Sequence, residues 1–120
     1  MGAPHGIVRL SFRASPVHVR TARLVAVTVA RRTGWSEELV ESVRQGVGEA
    51  CALALRVADP HGILHVELDG ASAGLTARVW PVPAALAADP LPRAVLAGLT
   101  DDTGVDVRDE ISTLRLFWRS

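Results

Sequence analysis

The chain has 120 residues and a mass of 12.7 kDa, the size of one domain. With 48% hydrophobic and 22% charged residues it reads as globular, which excludes wholesale disorder. Its 13 basic residues, all arginine, balance 13 acidic ones, so there is no global basic field to attract nucleic acid or a membrane surface.

Residues 1–6 lack the charged and apolar regions of a signal peptide and read as a flexible N-terminus ahead of one domain over 7–120. From 7 to 13 the chain alternates, with Val8, Leu10 and Phe12 on one side and Arg9, Ser11 and Arg13 on the other, the mark of a half-buried strand. Ser15-Pro16 then opens a helix that runs to about Arg32 and is stopped by Gly34. Ser36, followed by Glu37 and Glu38, starts a second helix with carboxylates at the positive end of its dipole. On its helical wheel Leu39, Val40, Val43, Val47, Ala50, Cys51 and Ala54 share one side, while Glu38, Glu41, Gln45, Glu49 and Arg56 share the other. Asp59 to Gly62 is a turn, and residues 63–69 and 74–80 form a hairpin around Asp69-Gly70 with a loop longer than two residues. The stretch Pro81 to Pro92 reads as a loop, Leu91 to Leu99 as a short helix, and Val105–Arg108 with Ile111–Trp118 as two closing strands. The order β-α-α-β-β-α-β-β predicts an α/β (α+β) two-layer sandwich, with helices on one face of a mostly antiparallel mixed sheet. No apolar run reaches the ~18–20 residues of a membrane span, and a cytoplasmic location is expected.

Glycine-rich phosphate loops, nucleophile elbows and His-Glu-x-x-His are absent from the sequence. Cys51 is the only cysteine, so an internal disulfide is excluded, and its apolar setting makes it a buried thiol. His61 and His65 have no third ligand near them in sequence, and no metal site is expected. The first helix carries more information because it has two apolar sides. Ala22, Val25, Ala26 and Val29 form the stripe expected to face the sheet. Val17, Leu24 and Val27 form an opposite stripe, interleaved with Arg20, Arg23 and Arg31. Arginine mixed with aliphatic residues on a second face is typical of protein-contact surfaces. The first 36 residues hold no acid, whereas Asp101, Asp102, Asp106, Asp109 and Glu110 crowd the other end, so the basic end suits an acidic partner.

Three segments resemble a known family: Leu10-Ser-Phe-Arg-Ala-Ser-Pro, then Ala22-Arg23-Leu24, then Gly48-Glu-Ala-Cys-Ala-Leu-Ala. They are similar to the anti-sigma regulatory factors, bacterial serine-protein kinases with the histidine-kinase-like (GHKL, Bergerat) ATPase fold. The resemblance implies binding to a sigma factor or to an anti-anti-sigma (STAS-type) protein, and homodimerisation as well. It also implies that Arg23 stands where relatives contact partners, with Arg20, Leu24, Val27 and Arg31 as supporting residues. Glu49 matches the family's catalytic glutamate, and Thr113 matches a threonine near the adenine site. The magnesium-binding asparagine four residues after the glutamate is here Leu53, which offers no oxygen to a hard cation. The aspartate-glycine motif that holds adenine is replaced by Trp80-Pro-Val-Pro-Ala, where two prolines also remove amide donors. The lid region, Ala84 to Leu99, keeps only Gly98. These departures predict a degenerate nucleotide site with no ATP or magnesium and a regulator that works by binding. An active serine-protein kinase with a divergent pocket, and a scaffolding domain unrelated to sigma factors, are the alternatives.

Overall fold

A computed structural model describes residues 6–32, 34–56, 58–59, 61–71 and 73–120. Five strands and four helices follow one another as β1 (Gly6–Arg13), α1 (Pro16–Arg32), α2 (Glu37–Leu55), β2 (Ile63–Ala71), β3 (Gly74–Trp80), α3 (Ala84–Ala87), α4 (Pro90–Leu99), β4 (Asp102–Arg108) and β5 (Ile111–Arg119). All the expected elements are present. Residues 1–5 of the expected flexible segment lie outside the described residues, and Gly6 already belongs to β1. The loop expected over Pro81 to Pro92 contains the short α3, and α4 begins at Pro90 because the Asp89 side chain caps it, accepting from the Leu91 amide at 3.1 Å.

The sheet runs β1-β2-β3-β5-β4, and every neighbouring pair is antiparallel. The expectation of a mixed sheet is thereby narrowed to a purely antiparallel one. The register explains the two faces. Leu10, Val66, Val79, Leu114 and Val105 lie opposite one another in a single row across all five strands, on the side covered by helices. One residue along, the row is Arg9, Glu67, Arg78, Arg115 and Gly104, on the open side. There Glu67 pairs with Arg9 at 2.9 Å and Arg78 at 3.3 Å, while Arg115 donates to both carboxylate oxygens of Asp106 at 2.7 Å. Burial thus follows strand parity, apolar residues inward and ion pairs outward. β4 begins three residues earlier than expected, because Asp102, Thr103 and Gly104 extend the ladder against Phe117, Leu116 and Arg115. A turn-like composition gave way to pairing.

The helix ends follow their local signals. The Ser36 hydroxyl accepts from the Leu39 amide at 3.2 Å. Gly34 takes φ of +79° as its amide donates to the Arg31 carbonyl, a conformation cheap only for glycine. The Gly62 amide closes the expected turn on the Asp59 carbonyl at 2.7 Å; Pro60 of that turn lies outside the described residues. Val43, Val47, Ala50, Cys51 and Ala54 of α2 are buried, as is Trp118 of β5. The Trp118 indole donates to the Leu99 carbonyl at 2.7 Å, tying β5 to the end of α4.

Two glycines of α2 face different neighbours. A Cβ on Gly46 would lie 2.6 Å from the buried Trp118 ring, while one on Gly48 would lie 2.9 Å from Cδ of the half-buried Arg23. A packed ring cannot retreat, whereas a flexible arginine stem can. Gly46→Ala should therefore lose about 1–3 kcal/mol to overpacking. Gly48→Ala should gain up to about 0.5–1 kcal/mol from helix propensity. Denaturant melts of the two variants side by side check this pair of opposite signs.

Candidate functional site

Two hollows flank α2, and Glu49, Ala52 and Arg56 line both. Between α2 and α4 lies a hollow of about 210 Å³ that Leu53, Leu91, Val95 and Leu96 also line. Leu53 and Leu96 are 3% and 2% exposed, so the position that the resemblance assigns to a magnesium ligand is sealed into an apolar seam beneath α4. Glu49 stands exposed at its edge. A hard cation needs several oxygens, and Leu53 supplies none. Among the described residues no cluster of three or more His, Cys, Asp and Glu side chains could hold a metal ion. His65 is engaged otherwise: its ring stacks on Trp80 with centroids 5.3 Å apart and shares a 2.7 Å hydrogen bond with the Ser11 hydroxyl.

Also at the C-terminal end of α2, a cavity of about 400 Å³ is lined by Ala54, Leu64, Pro81, Val82, Pro83 and Ser112, with Asp59 and Glu110 contributing. This is the stretch to which the resemblance assigns adenine recognition. The Val82 amide donates to the Ser112 carbonyl at 2.9 Å, and neither proline has an amide to offer. Thr113 does not reach this cavity. It lies opposite Asp106 on the open side of the sheet, because Leu114 and Leu116 fix the inward parity of β5 and put Ser112 inward instead.

The partner stripe expected on α1 is divided by the structure. Arg20 and Leu24 face solvent, Leu24 being 62% exposed, and Val17 beside them is 63% exposed. Val27 is half-buried and packs partly against the core, so it offers less surface than Leu24. Arg31 is tied to Glu37 across the α1–α2 connection by two hydrogen bonds of 3.2 and 2.9 Å, which hold the Glu37 carboxyl below its ordinary pKa. Arg23 is half-buried and folds over Gly48, into a groove of about 540 Å³ between α1 and α2. On the sheet-facing side Ala22, Ala26 and Val29 are buried as expected, and Val25 is half-buried against the core. The sequence reading missed the opposite wall of that groove. Arg44, Gly48 and Ala52 of α2 and Arg56 at its C-cap recur every four residues and all line it, a spacing visible in the sequence.

Cys51 is fully buried beneath this groove, and burial pushes its thiol up from 9.0 to about 12, with the Arg23 charge pulling weakly the other way. A pKa raised in the folded state gives stability that is intact below pH 9 and is lost as pH rises from 9 towards 12. The chain has no lysine or tyrosine, so no other side chain ordinarily titrates in that window. Unfolding free energy should fall above pH 9 by at most about 1.4 kcal/mol per pH unit, and Cys51→Ala should flatten the slope. Urea melts between pH 8 and pH 11 measure it.

Comparison with known proteins agrees with this architecture. A family model for the histidine kinase-like ATPase domain matches residues 12–118. The crystal structure of the RsbU and RsbW domains of Rv1364c from Mycobacterium tuberculosis superposes with a TM-score of 0.72 at 15% sequence identity, over 97% of this chain and 33% of that one. No curated protein matches the chain by sequence. Among the described residues no helix is long and apolar enough to cross a membrane. With the family model spanning nearly every strand and helix, the chain belongs to the histidine kinase-like ATPase domain family.

Proposed function

We propose that the protein is an anti-sigma-factor-like regulator that acts by protein–protein binding and has lost nucleotide chemistry. The observation that carries this reading is Leu53, sealed at 3% exposure where an active relative needs a magnesium ligand. The prolines at 81 and 83, and Thr113 turned to the open side of the sheet, support it. Glu49 then remains as a solvated helix residue without a metal to organise. The likeness to a structure whose title names an RsbW domain supports the regulatory class, and the partner is a sigma factor or an anti-anti-sigma (STAS-type) protein. A second copy of the chain is a further partner.

The surface for that partner is the α1 side of the molecule, with Arg23 as its hot spot and exposed Arg20 and Leu24 beside it. A guanidinium there makes bidentate bonds to a carboxylate that alanine cannot replace. Arg23→Ala should weaken partner binding by about 2 kcal/mol with little change in melting temperature, and Arg23→Glu should weaken it further. Affinity capture from the native cell extract, with wild type and Arg23→Glu as paired baits, tests the reading. A sigma factor or anti-anti-sigma protein retained by the wild type and lost from the variant is the expected result. Equal recovery on both baits would remove Arg23 from the functional surface.

A further inference from the structure

The α1–α2 groove has the chemistry of a receptor for one kind of segment. Its walls bear three guanidinium groups, Arg23 from α1, Arg44 from α2 and Arg56 from the C-cap of α2. Arg44 is held by Glu41 on its own helix, which neutralises it. Arg23 and Arg56 form no ion pair among the described residues, so neither of these two guanidinium groups is held by a carboxylate. Glu49 is the one acidic side chain in the lining, leaving a net positive groove. Between the charges the surface is apolar, through Val19, Leu55 and Leu99 among others. Gly48 makes the arrangement possible, since any side chain there would meet the Arg23 stem at 2.9 Å and lift it out.

We propose that, within this surface, the groove beside the outer stripe of α1 seats an acidic amphipathic segment of a protein partner, with carboxylates on Arg23 and Arg56 and aliphatic side chains against Leu55 and Leu99. The assignment rests on the regulatory reading above for the existence of a protein partner, and on charge complementarity for its chemistry. Paired guanidinium groups favour carboxylates in a fork geometry, and the apolar floor selects segments in which acids alternate with aliphatic residues. Glu49 opposes such a segment, so its removal strengthens binding. That sign is opposite to the loss expected of a residue needed for catalysis.

Panning a phage-displayed library of random peptides, each about twelve residues long, against the intact protein tests the proposal. The expected outcome is enrichment of peptides with Asp or Glu close to Leu, Ile or Phe. Their binding should fall on the order of tenfold or more in the Arg23→Gln/Arg56→Gln double variant and rise a few-fold in Glu49→Gln. Melting curves confirm that these surface variants remain folded. Peptides without acids, binding that survives the double variant, or no enrichment at all would overturn the proposal. The two readings fail separately. A captured sigma factor insensitive to Arg56→Gln removes the groove and leaves the regulator. Groove-dependent peptides together with a captured partner of another class leave the groove and remove the sigma-factor reading.

Discussion

Leu53→Asn, the substitution that restores the magnesium-ligand residue type of active relatives, should destabilise the protein by about 3 kcal/mol without bringing back nucleotide binding. Leu53 is 3% exposed and shares its seam with Leu96, at 2%. Asparagine would lose the apolar burial of leucine and place a carboxamide against Leu91, Val95 and Leu96, with the charged ends of Glu49 and Arg56 as the only polar side chains lining the hollow. A chemical melt reads the loss. The same experiment separates a filled site from a merely mutated one. If α4 stood clear of α2, the asparagine would be solvated and the cost would vanish.

Trp118→Ala should be the most damaging single truncation in the sheet, costing about 4 kcal/mol, within the range for large aromatic residues cut back to alanine. The ring is 1% exposed, packs against the bare backbone of Gly46, and its indole holds the Leu99 carbonyl at 2.7 Å. Removal leaves a void beneath α2 and frees the end of α4 together. Trp118→Phe keeps most of the volume but not the hydrogen bond, so its loss should be smaller, about 1–3 kcal/mol, and combines the lost tie to α4 with a small void. Gly46→Ala in the Trp118→Ala background should lose its penalty, because the ring it would strike is gone. Equilibrium unfolding of these variants as a double-mutant cycle gives the coupling directly.

Much of this architecture is legible in the sequence where a local signal has one physical solution. The alternation at Val8, Leu10 and Phe12, the caps at Ser36 and Gly34, and the apolar face of α2 each decide an element without knowledge of its neighbours. The site was less legible because it depends on what packs where. A helical wheel gives the angle between Arg23 and Leu24, but not that α2 lies beside α1 and draws Arg23 over Gly48 while Leu24 stays in solvent. Val27 packs partly against the core for the same reason. Thr113 is a different lesson. The inward positions of Leu114 and Leu116 already required Ser112, not Thr113, to face the helices, and strand parity outranks a single matched residue. The start of β4 escaped because Asp102, Thr103 and Gly104 are poor strand formers, recruited only by their partners on β5.

The division of α1 also separates stability from recognition. Ala22 and Ala26 are buried without remainder, so a charge there would unfold the domain, while Arg20 and Leu24 are free to change at little cost in stability. Val25, only half-buried, should tolerate polar substitution better than either alanine. The proposed regulator needs that separation. Its partner surface can then diverge while the scaffold inherited from an ATPase family stays packed.

Calorimetric titration of the intact protein with Mg-ATP at micromolar concentration tests most directly the proposal that this member of the family keeps the fold and has given up the nucleotide. No saturable heat is expected. A dissociation constant below about 50 μM, near −6 kcal/mol of binding free energy, would contradict it.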